Sequence, residues 1–174
     1  MELSITKLED SDVEELYTFE MENRLFFEEM VPSRGEDYYQ FETFTVRHQA
    51  LLAEQQDEKS QFYLIRDNLG GIVGRINLID IDTTNYVAEV GFRVGKEYVG
   101  KGIGTAAVNL LLKTAVHVKK IRAKTTTTNR ASQKILEKNG FKQICISDEL
   151  FEMNGQKLRF IHYLWERKNS SLLN

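Results

Sequence analysis

Four of the eleven glycines fall within ten residues, in Gly95-Lys96-Glu97-Tyr98-Val99-Gly100-Lys101-Gly102-Ile103-Gly104. The run lies between Val87–Val94, which reads as a strand, and Thr105–Val118, which reads as a helix with few charges. A chain that turns from strand to helix through several glycines reaches backbone angles closed to other residues. It also brings successive N–H groups toward one point. The helix start adds unpaired donors and the positive end of its dipole, and Lys101 adds a mobile charge. Pyrophosphate is the natural ligand of such a loop. Two familiar spacings fit it badly. Gly95 to Lys101 has P-loop spacing, but Gly102 stands where a magnesium-binding Ser or Thr is required. Gly102, Gly104 and Ala107 have the relaxed dinucleotide spacing, but the next strand-like segment, Ile121–Thr127, offers Lys and Thr where an acidic ribose ligand belongs.

Short alternating elements surround this loop. Leu3–Leu8 alternates as a first strand, and Asp10, Ser11 and Asp12 offer N-caps for a helix through Phe19. Asn23–Met30 adds helical turns that Val31-Pro32 ends. Asp37–Gln56 has the spacing of a longer amphipathic helix, with Tyr38, Phe41, Phe44 and Thr45 near one face. Gln61–Arg66, Ile72–Ile81 and Val87–Val94 are joined by short turns and read as an antiparallel meander. After the glycine loop and its helix come a strand at Ile121–Thr127 and a helix at Ala131–Asn139. Strands at Phe141–Ile146 and Leu158–Trp165 follow, paired as a hairpin around Asn154-Gly155. The order β-α-α-β-β-β-α-β-α-β-β predicts an α/β (α+β) fold. Its mixed, mostly antiparallel central sheet is flanked by helices, in one domain over residues 1–174.

Three ordered motifs resemble the GNAT superfamily of N-acetyltransferases. Val99-Gly100-Lys101-Gly102-Ile103-Gly104 is similar to that family's loop for the pyrophosphate of acetyl-coenzyme A, with Val99 in place of the usual Gln or Arg. Asn129-Arg130-Ala131-Ser132, followed by an amphipathic turn and Lys138-Asn139-Gly140-Phe141, resembles a second block. Ala88-Glu89-Val90 resembles the Ala-Glu-Ile strand that precedes the loop. The resemblance spans nearly the whole chain. With its closing Asn-Gly hairpin, the chain is most similar to the Rim-type branch, which contains ribosomal-protein N-terminal acetyltransferases.

The resemblance implies acetyl transfer from acetyl-coenzyme A to a primary amine, by direct attack in a ternary complex. An ammonium ion must lose a proton before it attacks a thioester, so the site needs a base. Glu89 is the foremost candidate, with Glu149 and Glu152 near the closing hairpin as rivals. Phe151 stands where the Rim-type branch can place an acid. Family likeness assigns Ser132 as the acid for the departing thiolate and Asn129 a place beside it. A serine or asparagine there is equally a helix cap. The backbone of Phe92, Arg93 and Val94 is expected to hold the pantetheine arm and to donate to the carbonyl oxygen. Val99 through Gly104, with Thr105, Asn129 and Lys138, complete the expected coenzyme contacts. Protein N-termini, polyamines and small amines are the candidate acceptors, lying against residues 12–56. A non-catalytic acyl-coenzyme A or nucleotide sensor is the alternative, and a P-loop phosphotransferase a third reading.

Other chemistries are excluded or disfavoured. Cys145 alone cannot build a disulfide scaffold and, between Ile144 and Ile146, reads as a packed strand residue. His48, His117 and His162 have no zinc-ligand spacing with it, so no metal is expected. No apolar run approaches the roughly 20 residues that span a bilayer, and the start lacks the layout of a secretory signal. A cytoplasmic protein with no membrane partner is expected, with a homodimer by analogy. Lys119, Lys120, Arg122 and Lys124 lack interleaved aromatics, and the sequence pI is about 5.7. They read as a solvated edge or a coenzyme phosphate contact rather than a nucleic-acid site. Residues 1–60 hold 16 acidic and 5 basic side chains, and residues 61–174 hold 10 acidic and 18 basic. This asymmetry predicts an acidic acceptor side for a cationic amine and a basic coenzyme side.

Overall fold

The computed structural model describes residues 1–169, so the last five residues of the expected 1–174 unit lie outside the described residues. Among the described residues, nine strands and five α-helices follow the order β1 (Ser4–Lys7), α1 (Val13–Glu22), α2 (Arg24–Met30), α3 (Phe41–Gln56), β2 (Gln61–Arg66), β3 (Ile72–Asp82) and β4 (Val87–Val94). Then come α4 (Ile103–Thr114), β5 (Lys120–Thr126), α5 (Arg130–Lys138), β6 (Lys142–Ile146), β7 (Phe151–Met153), β8 (Gln156–Leu158) and β9 (Phe160–Glu166). Seven strands form one sheet in the order β1-β2-β3-β4-β5-β9-β6, antiparallel throughout except between β4 and β5. The expected mixed, mostly antiparallel sheet with flanking helices is present.

Each face of the sheet carries its own apolar layer. Leu111, Ala107, Val108 and Ile103 fall on one side of α4 because they recur at helical spacing, and they pack with Ile76, Leu78, Ile121 and Tyr163. Each such fully buried aliphatic side chain contributes about 1.5–3 kcal/mol. Arg167 closes this layer, since its guanidinium donates to the carbonyls of Leu112, Ala115 and Val118 where α4 runs out of internal partners. On the opposite face, Leu16 and Phe19 of α1, Phe27 of α2 and Phe44 of α3 pack with Phe62, Leu64 and Ile72.

Three local departures from the sequence reading have physical causes. The expected helix over 37–56 is broken at Gln40, whose extended backbone separates a 3-10 turn at Glu36–Tyr39 from α3. Tyr38 and Phe44 are buried as expected, whereas Phe41 at the helix start is 43% exposed. Leu158–Trp165 is interrupted at Arg159: Phe160–Glu166 pairs with β6, as expected of the closing strands, but Asn154-Gly155 turns a separate two-stranded ribbon, β7–β8. Asn154 and Gly155 both have positive φ, 52° and 74°, as a type I′ hairpin turn requires. Cys145 is exposed rather than packed, because β6 is an edge strand paired only with β9 and every one of its residues is exposed.

Candidate functional site

The parallel pair β4–β5 is the break in the sheet that makes room for a ligand. Pairing runs only through Val87↔Lys120, Ala88↔Ile121 and Glu89↔Arg122. Beyond Glu89, β4 stays with β3 and β5 stays with β9, so the two strands part like a fork. Two cavities of about 410 Å³ each open there, and both are lined by Phe92, Arg93, Asn129 and Ser132.

The first cavity lies toward α4 and α5. Gly100 and Gly102 have φ of +78° and +79°, the left-handed region where a side chain is strained, and an added Cβ at either would meet nothing. Their requirement for glycine is therefore conformational. Gly104 is glycine for another reason: a Cβ there would come within 2.5 Å of Ile135 Cδ1, across the α4–α5 contact. No side chain caps the start of α4 at Gly102, and Ile103, Gly104 and Thr105 all line the cavity. An open helix N-terminus with adjacent Arg130, Lys134 and Lys138 is suited to a phosphate group, while Phe26, Phe27 and Val94 offer apolar wall to a pantetheine arm. The residues present fit acetyl-coenzyme A. Every expected coenzyme residue lines this cavity except Lys101, whose ammonium instead lies 5.6 Å from the Tyr98 ring centroid.

The second cavity runs through the fork. Because β4 alternates, Val90 of the α4 layer lines it from one side of the strand and Glu89, Gly91 and Arg93 from the other. Gly91 leaves open space there, and Asn77 stands opposite it on β3 with its Oδ1 buried and unpartnered. Glu89 is half-buried at the root of the fork. Asn129 is the N-cap of α5: its Oδ1 accepts from the Ser132 backbone N–H at 3.2 Å. Asn129 supplies the cap, and Ser132 lines both cavities. Gln133 fastens α5 to the end of β5 by donating to the Thr126 and Thr127 carbonyls at 3.1 and 3.2 Å.

Arg75 and Arg93, directly paired across β3 and β4, converge on Glu20 of α1. Glu20 is fully buried and accepts from Arg75 at 2.7 Å and from Arg93 at 3.1 Å. Burial works to raise the Glu20 pKa, but the two guanidinium groups outweigh it and hold the carboxyl below its ordinary 4.5. Tyr38 Oη accepts from Arg75 and from Arg34, at 3.3 and 3.2 Å.

Several expectations require correction. Glu149 and Glu152 are exposed and line neither cavity. Phe151 packs flat on Phe160, 4.4 Å between ring centroids, at the edge of the second cavity. Lys119, Lys120, Arg122 and Lys124 are all exposed, and Lys124 also lines the second cavity rather than the first. The second cavity does not carry the acidic wall expected of an acceptor side. From residues 12–56 the second cavity takes Met30, Val31, Pro32 and Arg34, none of them acidic. Four of the segment's carboxylates are ion-paired elsewhere: Asp12 and Glu15 with Arg66, and Glu28 and Glu36 with Arg24. Among the described residues no group of three or more His, Cys, Asp or Glu could hold a metal ion, and no helix is long and apolar enough to cross a membrane. Sequence reasoning missed Arg34, Arg75 and Asn77. The available signal for Arg75 was a lone charge inside the apolar run Ile72-Val73-Gly74-Arg75-Ile76.

Comparison with known proteins fits this geometry. A family model for the acetyltransferase (GNAT) domain matches residues 2–142. "Probable N-acetyltransferase YjcK" of Bacillus subtilis (strain 168) is 32% identical over 158 residues, covering 87% of this chain and 86% of that one. Ribosomal-protein-S5-alanine acetyltransferase from Vibrio fischeri superposes with a TM-score of 0.87 at 22% identity, covering 97% of this chain and 95% of the other. RimL, a ribosomal L7/L12 α-N-protein acetyltransferase solved with coenzyme A, gives a TM-score of 0.85 at 18% identity, covering 94% and 93%. These two structures share the fold. The P-loop and dinucleotide readings of the glycine loop give way to the third.

Proposed function

The chain belongs to the GNAT acetyltransferase family, an acyltransferase with acetyl-coenzyme A as co-substrate, and we propose that its own residues divide the transfer to a primary amine across the β4–β5 fork. The observation that carries this reading is that two cavities meet at the fork and share Phe92, Arg93, Asn129 and Ser132. Backbone groups of Gly100 to Thr105, with Lys138, hold the phosphates, and the unpaired edge of β4 at Phe92–Val94 holds the arm. Bound there, the coenzyme supplies an activated acetyl thioester.

Glu89 takes the proton from the incoming amine, directly or through one water, so that the nitrogen lone pair is free to attack. Backbone N–H groups at Phe92–Val94 face the carbonyl oxygen as it gains charge. The Ser132 hydroxyl gives a proton to the departing sulfur. Asn129 acts through Ser132 by fixing the first turn of α5. The Rim-like fold neighbours support a protein or peptide N-terminus among the acceptors. The same reading includes one unit over 1–174, a cytoplasmic setting and a homodimer along the β6 edge, where Ile144 and Ile146 are exposed. The test is Glu89→Gln: acetyl-coenzyme A affinity should be kept while amine-dependent release of free coenzyme A is lost. Full activity in that variant would remove Glu89 as the base.

A further inference from the structure

The acceptor side of the fork has a charge that the composition does not foretell. Arg34, Arg75, Arg93 and Lys124 line the second cavity, and among the described residues Glu89 is its only acidic lining residue. Behind the wall, Glu20 balances one of the two arginines that hold it. Counting both carboxylates leaves a surplus of two positive charges around the cavity. Neither Arg34 nor Lys124 forms an ion pair among the described residues. Arg34 donates only to Tyr38 Oη and lies 4.9 Å over the same ring, while Lys124 lies 5.2 Å over Phe160. Arg75, 4% exposed, is held by its ion pair with Glu20, so the unpaired charge lies on the exposed Arg34 and Lys124 at the cavity rim. A cationic polyamine would add like charge to that surplus. An anionic group would complete it.

Resting on the acetyl-transfer reading, we propose that the acceptor amine carries a carboxylate or phosphate that docks against Arg34, Arg75 and Lys124 while its nitrogen lies beside Glu89. The strand register sets the scale. Arg75 sits four positions along β3 from Ile79, the partner of Glu89, a span of roughly 13 Å along the strand. Long arginine and lysine side chains shorten that span. The acidic group therefore belongs on the second or third residue of a peptide whose free N-terminus is acetylated. The open position at Gly91 gives the intervening chain its passage.

The test compares three matched peptides, Ser-Glu-Ala-Ala, Ser-Gln-Ala-Ala and Ser-phosphoserine-Ala-Ala, each C-terminally amidated, with spermidine. The readouts are acetylation rate and calorimetric binding. The Glu or the phosphoserine peptide should exceed the Gln peptide in kcat/KM by roughly tenfold or more, with spermidine below all three. Which of the two leads tells carboxylate from phosphate. Arg34→Gln should bring the Glu/Gln ratio close to one, and Arg34→Lys should retain part of it. Equal use of Glu and Gln peptides, a ratio unmoved by Arg34→Gln, or spermidine as the fastest acceptor overturns the proposal. Binding that prefers the anionic peptides without turnover keeps the subsite and removes the acetyl-transfer reading. Equal binding without turnover removes the subsite as well.

Discussion

The two cavities that meet at the fork are built by different means. The coenzyme side is made largely of backbone: an uncapped helix start, two glycines in the left-handed region and a strand edge without a partner. The second cavity, the proposed acceptor side, is made of side chains from Arg34, Arg75, Glu89, Lys124 and Phe160, which lie far apart in the sequence and meet only when the sheet is assembled. Backbone sites tolerate change in most side chains and fail when a torsion is forbidden. Side-chain sites fail one residue at a time. The contrast predicts how each side breaks.

The largest effect falls on the acceptor side. If Glu89 is the base, Glu89→Gln lowers kcat roughly 10²- to 10⁴-fold, while equilibrium binding of acetyl-coenzyme A is unchanged. Stopped-assay release of coenzyme A and calorimetry measure the two separately. A parallel loss of coenzyme affinity would mean that the two sides are not separable. Next is the buried anchor. Glu20→Gln leaves two guanidinium groups without their carboxylate and costs about 3–5 kcal/mol of stability, read from the denaturant midpoint. The same pair sets an acid limit. The Glu20 pKa is lowered in the folded protein, so its contribution is fully present above 4.5 and is lost as pH falls through the folded value. Wild type should therefore lose this stability as pH falls below 4.5 toward the lowered folded value, and Glu20→Gln should flatten that slope.

The same contrast explains what could be read in advance. Val99–Gly104 and Asn129–Gly140 announce themselves because a loop that needs positive φ, and a helix start that needs a cap, must put the right residues next to one another in sequence. All but one of the expected coenzyme residues consequently line the first cavity. The strand and helix order was legible for the same local reason, apart from the β7–β8 ribbon, where a break at Arg159 is invisible in an apolar run. The acceptor side was not legible. Charge totals suggested an acidic wall, yet they cannot say that Asp12, Glu15, Glu28 and Glu36 would be taken up by Arg66 and Arg24. Nor can they say that Glu20 would turn inward to meet Arg75, since that contact joins residues 55 positions apart.

On the coenzyme side the expected effects are smaller. Gly102→Ala forces a side chain into φ +79° and costs about 1–2 kcal/mol, which should weaken acetyl-coenzyme A binding by roughly tenfold while leaving the acceptor preference intact. A change in the Glu/Gln peptide ratio in this variant would show that the loop reaches across the fork.

The smallest effect is expected at the start of α5, which touches both cavities, and it separates a positioning role from a chemical one. Asn129→Ala removes the side chain that accepts the Ser132 backbone N–H, so thermal unfolding should show a loss of about 0.5–2 kcal/mol. Ser132→Ala keeps the backbone donor and the cap, so its midpoint should stay within about 0.5 kcal/mol of wild type. Any fall in its kcat then belongs to the hydroxyl. If thiolate protonation is the step affected, that fall should shrink as pH is lowered, because solvent then supplies the proton more readily. If Ser132→Ala instead unfolds like Asn129→Ala and turns over like wild type, the hydroxyl is part of the helix start, and the departing sulfur takes its proton from elsewhere.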